Sequence, residues 1–266
     1  MDPLVITVAS TNVNWTKKDN PYMPETPEEI AEDIIKAAHE GAAVAHIHAR
    51  DEKGNTTFDP KYYRKIIEYA RKQCDIIIQI STGGPPASVE EKLAPIRELL
   101  PAMASLNIRG TPEEIEYTAT TMRDLGVVPI IEAFDMEMIA TANTLIERGL
   151  VKQPAHFELV FDLVSESDKP VLEDYDEMVK RIKEMSPGSI WSRNRGAHNQ
   201  FALDAMTITL GGHIRVGLED NLFLTGGQLA KGSFEFVKRV VHLSAELNRK
   251  IATAHEAKEL FKVIHE

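Results

Sequence analysis

Short apolar runs alternate with longer amphipathic stretches from one end of the chain to the other. The runs at 4–10, 43–48, 76–81, 103–108, 128–134, 155–161, 190–192 and 213–216 have the length and apolar continuity of strands buried on both faces. Between them apolar residues recur at helical spacing, which predicts helices at 27–40, 59–74, 88–99, 112–125, 135–149, 173–185, 199–210 and 233–248. Helix starts are marked as well. Thr26-Pro27-Glu28-Glu29 sets a capping hydroxyl before proline and a glutamate at the third helical position; Thr111-Pro112-Glu113-Glu114 repeats those four residues, and Ser88 with Glu91 is a third version. Eight strand–loop–helix units predict an α/β fold, a single-domain (β/α)8 TIM barrel over residues 1–266. A doubly wound sheet usually has fewer strands and often a Gly-rich dinucleotide turn, and neither G-x-G-x-x-G nor G-x-x-x-x-G-K occurs.

Composition narrows the partners. The chain has 30 basic against 41 acidic side chains, a formal net charge of −11, and no dense Lys/Arg block. Nucleic-acid backbones are held by clustered cations, so this balance argues against such a partner, whereas an anionic small ligand needs only local positive charge. Cys74 is the lone cysteine and has no mate for an internal disulfide. No basic stretch precedes the first apolar run, and no run approaches the roughly 20 residues of a membrane span. A reducing, cytoplasmic setting without membrane insertion is expected.

In a barrel of this kind, chemistry gathers where strands end and βα loops begin. There the sequence offers Ser10, Thr11, Asn12 and Asn14 after the first strand, His46 and His48 on the second, and Ser81-Thr82-Gly83-Gly84 after the third. Ser105 and Asn107 lie on the fourth, Glu132 on the fifth, and Arg215, Glu219, Asp220 and Asn221 at the eighth. His46 and His48 are two apart on a strand, so both imidazoles point the same way and can share a metal. A catalytic zinc takes three protein ligands and keeps an open position, so a carboxylate from another strand end should complete the set. Glu219 and Asp220 are best placed, because the eighth and second strands flank the first. With Arg215 they form a coherent group: a metal-binding acid, an acid acting as base, and a guanidinium that keeps the base ionised. Ser81-Thr82-Gly83-Gly84 reads either as a carboxylate seat of hydroxyls and backbone N–H groups or as a helix-capping turn. Glu132 closes an apolar strand and needs a partner, for which Arg215 is expected. His198 and His213 read as structural.

Several motifs together carry a family likeness: Pro3-Leu4-Val5-Ile6-Thr7, Thr26-Pro27-Glu28-Glu29, H-I-H-A-R at 46–50 and I-Q-I-S-T-G-G at 78–84. M-A-S-L-N at 103–107, V-V-P at 127–129 and G-G-H-I-R-V-G-L-E-D-N at 211–221 continue it. Along essentially its whole length the chain resembles the β-keto acid cleavage enzymes. The resemblance implies a zinc-dependent (β/α)8 barrel that converts a β-keto acid and acetyl-CoA into acetoacetate and a new acyl-CoA, and a homo-oligomer, with a tetramer among the options. It implies His46, His48 and Glu219 as zinc ligands, Asp220 as the acid–base residue, and Arg215 and Glu132 as the groups that hold and polarise it. Ser81 resembles the serine that meets the substrate carboxylate, and Thr82, Gly83, Ser105, Asn107 and Asn14 are the further substrate-binding candidates. Ser105 stands where a characterised member has threonine, and Asn14 where the aminohexanoate-cleaving members have a glutamate for the substrate's amino group.

The implied chemistry is physically coherent. Zinc with two neutral imidazoles and one carboxylate keeps a local charge of about +1, which attracts a β-keto carboxylate. Asn14 is neutral, so a keto acid with a neutral or hydroxylated tail is expected over one bearing an ammonium group. Trp15 reads either as a face for a quaternary ammonium or as a residue packed under the first loop. The competing classes are a metal-dependent barrel hydrolase, a metal aldolase or acyl-CoA lyase, and a ligand-binding barrel without catalysis.

Overall fold

The computed structural model describes residues 1–161, 168–195 and 200–265. The chain runs β1 (Ile6–Ala9), α1 (Pro27–Glu40), β2 (Val44–Ile47), a short pair β3 (Ala49–Arg50) and β4 (Thr56–Thr57), α2 (Pro60–Arg71), β5 (Ile77–Ile80) and α3 (Val89–Leu99). It continues through β6 (Met103–Asn107), α4 (Pro112–Leu125), β7 (Val128–Ala133), α5 (Met136–Glu147), β8 (His156–Phe161) and α6 (Asp168–Met185). The last elements are β9 (Ile190–Arg195), α7 (Gln200–Leu210), β10 (His213–Val216), α8 (Ser233–Glu246) and α9 (Ala254–Phe261). Strands β1 and β2 and β5 to β10 are parallel and close into a barrel in the order β1-β10-β9-β8-β7-β6-β5-β2. This is the (β/α)8 barrel that the alternation predicts. Strand β1 sits between β10, with Thr7 opposite Arg215, and β2, with Ala9 opposite His46.

The helices start where their capping residues stand. Thr26, Ser88 and Thr111 each accept from the N3 amide, while the N3 glutamate returns to the cap N–H. Along the strands one parity faces the helices: Ile6, Val8, Ile78, Ile80, Leu106, Ile131, Phe157 and Leu159 join the main apolar cluster. The other parity faces the lumen, and its character changes with height. At the strand N-termini Val5, Val44, Ile77, Met103 and Ile130 form a second apolar cluster with Ala257 and Phe261 of α9. Higher up stand His46, Gln79, Ser105, Glu132, Glu158 and Arg215, all buried. The lower end is thus plugged, and the upper end is polar.

The structure departs from the predicted elements in a few places. Strand β9 runs to Arg195 rather than stopping at 192, because the buried Arg193 is neutralised by Asp204 of α7 and tolerates a strand interior. Helix α6 begins at Asp168, ahead of the predicted 173. The pair β3–β4 is an addition inside the second βα loop. Helix α9 is another; Thr253 caps it with Glu256 in the same reciprocal fashion, but it follows α8 with no barrel strand between and so falls outside the strand–helix rhythm. Leu4 N–H donates to the Lys250 carbonyl (2.7 Å) and Ala252 N–H to the Leu4 carbonyl (2.9 Å), which fixes α9 under the barrel. The predicted helix start at 199 and His198 lie outside the described residues. Among the described residues no helix is long and apolar enough to cross a membrane.

Candidate active site at the strand C-termini

Strand β2 delivers His46, and His48 stands two residues on, with the ring centroids 5.3 Å apart. Glu219 reaches them from the loop after β10, and Gly217 makes the approach possible. At φ 150° and with a Cβ position only 2.1 Å from the Ala9 carbonyl oxygen, residue 217 has to be glycine for the loop to settle on the end of β1. Glu219 N–H then donates to the Ala9 carbonyl (3.0 Å), and Asn12 Nδ2 donates to the Glu219 carbonyl (3.1 Å). Glu219 Oε1 lies 3.6 Å from His46 Nε2 and 3.4 Å from His48 Nε2.

One donor atom from each of the three residues lies within 4.8 Å of the others. All three are buried, yet among the described residues both ring nitrogens of His46, Nδ1 of His48 and Oε2 of Glu219 have no hydrogen-bond partner. Buried polar atoms are normally satisfied, so a convergent set left unpaired has the makings of a metal centre, and imidazole with carboxylate is a donor set suited to zinc. Burial, reinforced by Arg215, holds His46 well below the ordinary histidine range, in the neutral form that a metal ligand needs. Burial pushes the Glu219 carboxyl up, but Arg215, His48 and His46 outweigh it and carry the group below the usual carboxylate range.

Arg215 is the electrostatic hub. Its Nε and Nη2 donate to the two oxygens of Asp220 (3.0 Å each), Nη1 donates to Glu158 Oε2 (2.8 Å), and Nη2 also reaches Glu219. Arg195, at the end of β9, brings Nε to 3.6 Å from Asp220 Oδ1. Among the described residues, four buried acids, Glu132, Glu158, Glu219 and Asp220, stand around two guanidiniums, an acidic setting that would favour a divalent cation. Burial raises Asp220 above the ordinary aspartate value against the pull of Arg215. It raises Glu132 as well, and lifts Glu158 to about 7.

The partner expected for Glu132 needs correcting. Arg215 is engaged with Glu158, Glu219 and Asp220 and acts on Glu132 only through space, while Glu132 Oε2 accepts from Asn107 Nδ2 (3.3 Å), its register neighbour on β6. Ser81 is buried, and its Oγ accepts the Gly83 N–H (3.2 Å), which leaves its own proton free to donate. Thr82 ties the loop after β5 to strand β6: its N–H donates to Ser105 Oγ (3.1 Å) and its hydroxyl to the Ser105 carbonyl (2.9 Å). Asn14 is exposed on the first loop, held through its backbone N–H to Asn12 Oδ1, instead of lying in a desolvated pocket. Trp15 packs against the core. His213 is structural, its Nδ1 accepting the Val5 N–H at the other end of the barrel.

The sequence reading did not single out Glu158, Asn194 or Arg195. Asn194 Nδ2 donates to Glu158 Oε2 (3.2 Å), so all three stand in the network around Arg215 and Asp220. A signal was present. Glu158 is an acid embedded in an apolar strand, the feature that drew attention to Glu132.

Fold and site define a (β/α)8-barrel protein with a His/His/Glu donor set beside a buried acid–guanidinium pair. Comparison with known proteins narrows that class. The beta-keto acid cleavage enzyme family model matches residues 3–263, and the chain belongs to that family. It is 37% identical to the 3-keto-5-aminohexanoate cleavage enzyme of Fusobacterium nucleatum subsp. nucleatum over 99% of each chain. It is 30% identical to the 3-oxoadipate:acetyl-CoA acetyltransferase of Cupriavidus necator over 97% of this chain and 94% of that one. Among solved structures, the binary complex of ObcA with oxaloacetate superposes with a TM-score of 0.78 at 22% identity, over 91% of this chain and 68% of that one, a likeness of fold.

Proposed function

We propose that this protein cleaves a β-keto acid with acetyl-CoA, giving acetoacetate and the acyl-CoA of the remaining tail. The observation that carries the reading is the convergent His46/His48/Glu219 donor set, several of its buried atoms unpartnered among the described residues, placed directly beside Asp220 and Arg215. Family membership supports the β-keto acid, and the name of the Cupriavidus necator relative supports acetyl-CoA. His46, His48 and Glu219 would hold a divalent cation, zinc by their chemistry, which when bound supplies Lewis-acid polarisation of the keto and carboxylate oxygens.

The chain's own groups do the rest. Ser81 donates a hydrogen bond from its free hydroxyl to the substrate carboxylate. Asp220 takes a proton from C2 of the keto acid; burial has raised its proton affinity, and Arg215 orients both its oxygens. Carbon 2 then attacks the thioester carbonyl of acetyl-CoA, forming a carbon–carbon bond and releasing the CoA thiolate. The thiolate adds to the original keto carbonyl, and the bond between C2 and C3 breaks. The tail leaves as acyl-CoA, and the carbon released as acetoacetate takes its proton back from Asp220. Glu158, bonded to Arg215 from β8, keeps the guanidinium from following Asp220 as it changes charge.

The test is a panel of β-keto acids with and without acetyl-CoA, reading acetoacetate and acyl-CoA, with elemental analysis of the protein as purified. Acetoacetate formed only when both substrates are present, and about one zinc per chain, are the expected results. The panel spans neutral, hydroxylated, amino and carboxylate tails. No acetoacetate from neutral, amino or carboxylate tails overturns the reading.

A further inference from the structure

Between the loop that follows β5 and the loop that follows β6 lies a cavity of about 230 Å³. Thr82, Gly83 and Asn107 line it, and through them it adjoins Ser81 and Glu132 at the barrel mouth. Lys92 of α3 and Arg109 of the β6–α4 loop also line it.

Charge sets this cavity apart. Glu114 of α4 lines it too and accepts the Thr111 N–H, so the lining carries two cations against one acid; of the neighbouring acids, Glu91 is bonded to Ser88, and Glu90 is paired with Arg97 and accepts from Tyr117. Lys92 and Arg109 have no carboxylate partner among the described residues. The Arg109 guanidinium stacks on Phe134, 3.4 Å from the ring centroid. Stacking occupies its face and leaves its in-plane N–H donors free for an oxyanion. Two cations against one acid on one cavity, in a chain of net charge −11, leave a local excess of positive charge and a seat for an anion. The volume is below the roughly 300–1,000 Å³ of a pocket that encloses a whole ligand, so the cavity suits one end of a longer molecule whose reactive end lies at the mouth.

We propose that Lys92 and Arg109 seat the phosphate end of the CoA thioester, an inference that rests on the acetyl-CoA reading above. The oxyanion chemistry is shared by a carboxylate tail on the keto acid. CoA is the favoured source, because its phosphates carry several negative charges for the two cations to meet, and a flexible arm joins them to the thioester.

Calorimetric binding of CoA and of pantetheine, which keeps the thiol arm and lacks the phosphates, tests this in wild type, Lys92→Met, Arg109→Met and the double variant. Each single substitution is expected to weaken CoA about tenfold, with pantetheine affinity alike in all four proteins and the loss in turnover appearing in KM for acetyl-CoA. Unchanged CoA affinity, or CoA and pantetheine weakened alike, overturns the seat. A loss confined to KM for a dicarboxylic keto acid also overturns it, and would give the cavity to the substrate tail. Binding is read without turnover, so the two readings fail separately. Selective CoA loss from a wild type that makes no acetoacetate would keep the seat and sink the cleavage reading; normal CoA binding by variants of an active wild type would do the reverse.

Discussion

Each end of the barrel buries a pair of histidines, and their neighbours put them to opposite uses. At the strand C-termini, His46 and His48 converge on a carboxylate, and three of their four ring nitrogens have no partner among the described residues. At the N-termini, His156 and His213 open strands β8 and β10 and flank the Phe261 ring edge-on, with centroids 5.0 and 5.8 Å away. Burial brings His156 down to about 4; burial, with Arg249 adding to it, brings His213 to about 3. A buried neutral imidazole is a potential ligand where an acid faces it and a packing shape where an aromatic ring does. The mouth concentrates charges whose desolvation works against folding, and the apolar plug at the other end supplies stability without touching the chemistry.

This contrast is broken most severely at Asp220. Asp220→Asn should fold and bind zinc as the wild type does, because shape and neighbours are nearly unchanged, yet lose about 10²–10⁴-fold in kcat. A kcat within a few-fold of wild type would remove its acid–base role. The mirror experiment is Phe261→Ala, which should cost about 3–5 kcal/mol in urea unfolding and leave kcat for acetoacetate formation as it was. If kcat fell in protein shown to be folded, the two ends would not be independent.

Acidity sharpens the contrast next. The lower histidines titrate in the fold well below the roughly 6.5 of a free imidazole, so between those values the unfolded chain binds protons that the folded chain refuses. Their contribution is complete above about pH 6.5 and is lost as pH falls, by up to about 1.4 kcal/mol per unit for each histidine, until the folded values are reached. Unfolding at pH 7 and pH 5 should therefore show a smaller acid loss in His156→Phe than in wild type; equal losses would mean that this histidine is not held neutral. The smallest effect is expected at the cap of α9. Thr253→Ala should cost about 1 kcal/mol and loosen the plug without changing activity, as thermal unfolding and turnover will show.

What the sequence made legible followed from local rules. The His46 and His48 pairing needs only strand periodicity, and the helix starts at Thr26, Ser88 and Thr111 need only a cap and a glutamate three residues on. Glu158 was hidden for a different reason. Strands of a parallel barrel are covered on both faces, so an apolar run does not reveal which parity faces the lumen, and the charge that makes Glu158 tolerable belongs to Arg215, 57 positions away. Arg193 and Arg195 were hidden in the same way: as charged residues they read as the end of a strand, until Asp204 of α7 and Asp220 of the last loop are brought beside them. Glu132 shows the converse. An obvious cation was on offer, and its neighbour across the β6–β7 register supplied the hydrogen bond instead.

Gly217 also has a meaning in time. It lets the end of the last barrel strand rest on the end of the first, and the bond it permits, from Asn12 to Glu219, joins positions 207 residues apart. A chain still being made exposes both imidazoles of strand β2 long before the carboxylate that faces them exists. Contacts of such separation form only when nearly all intervening strand pairs are in place to offset the closure entropy. An ion held by these three side chains would therefore bind tightly to finished barrels and weakly to partial ones, so that occupancy would certify the completed molecule before any substrate met it.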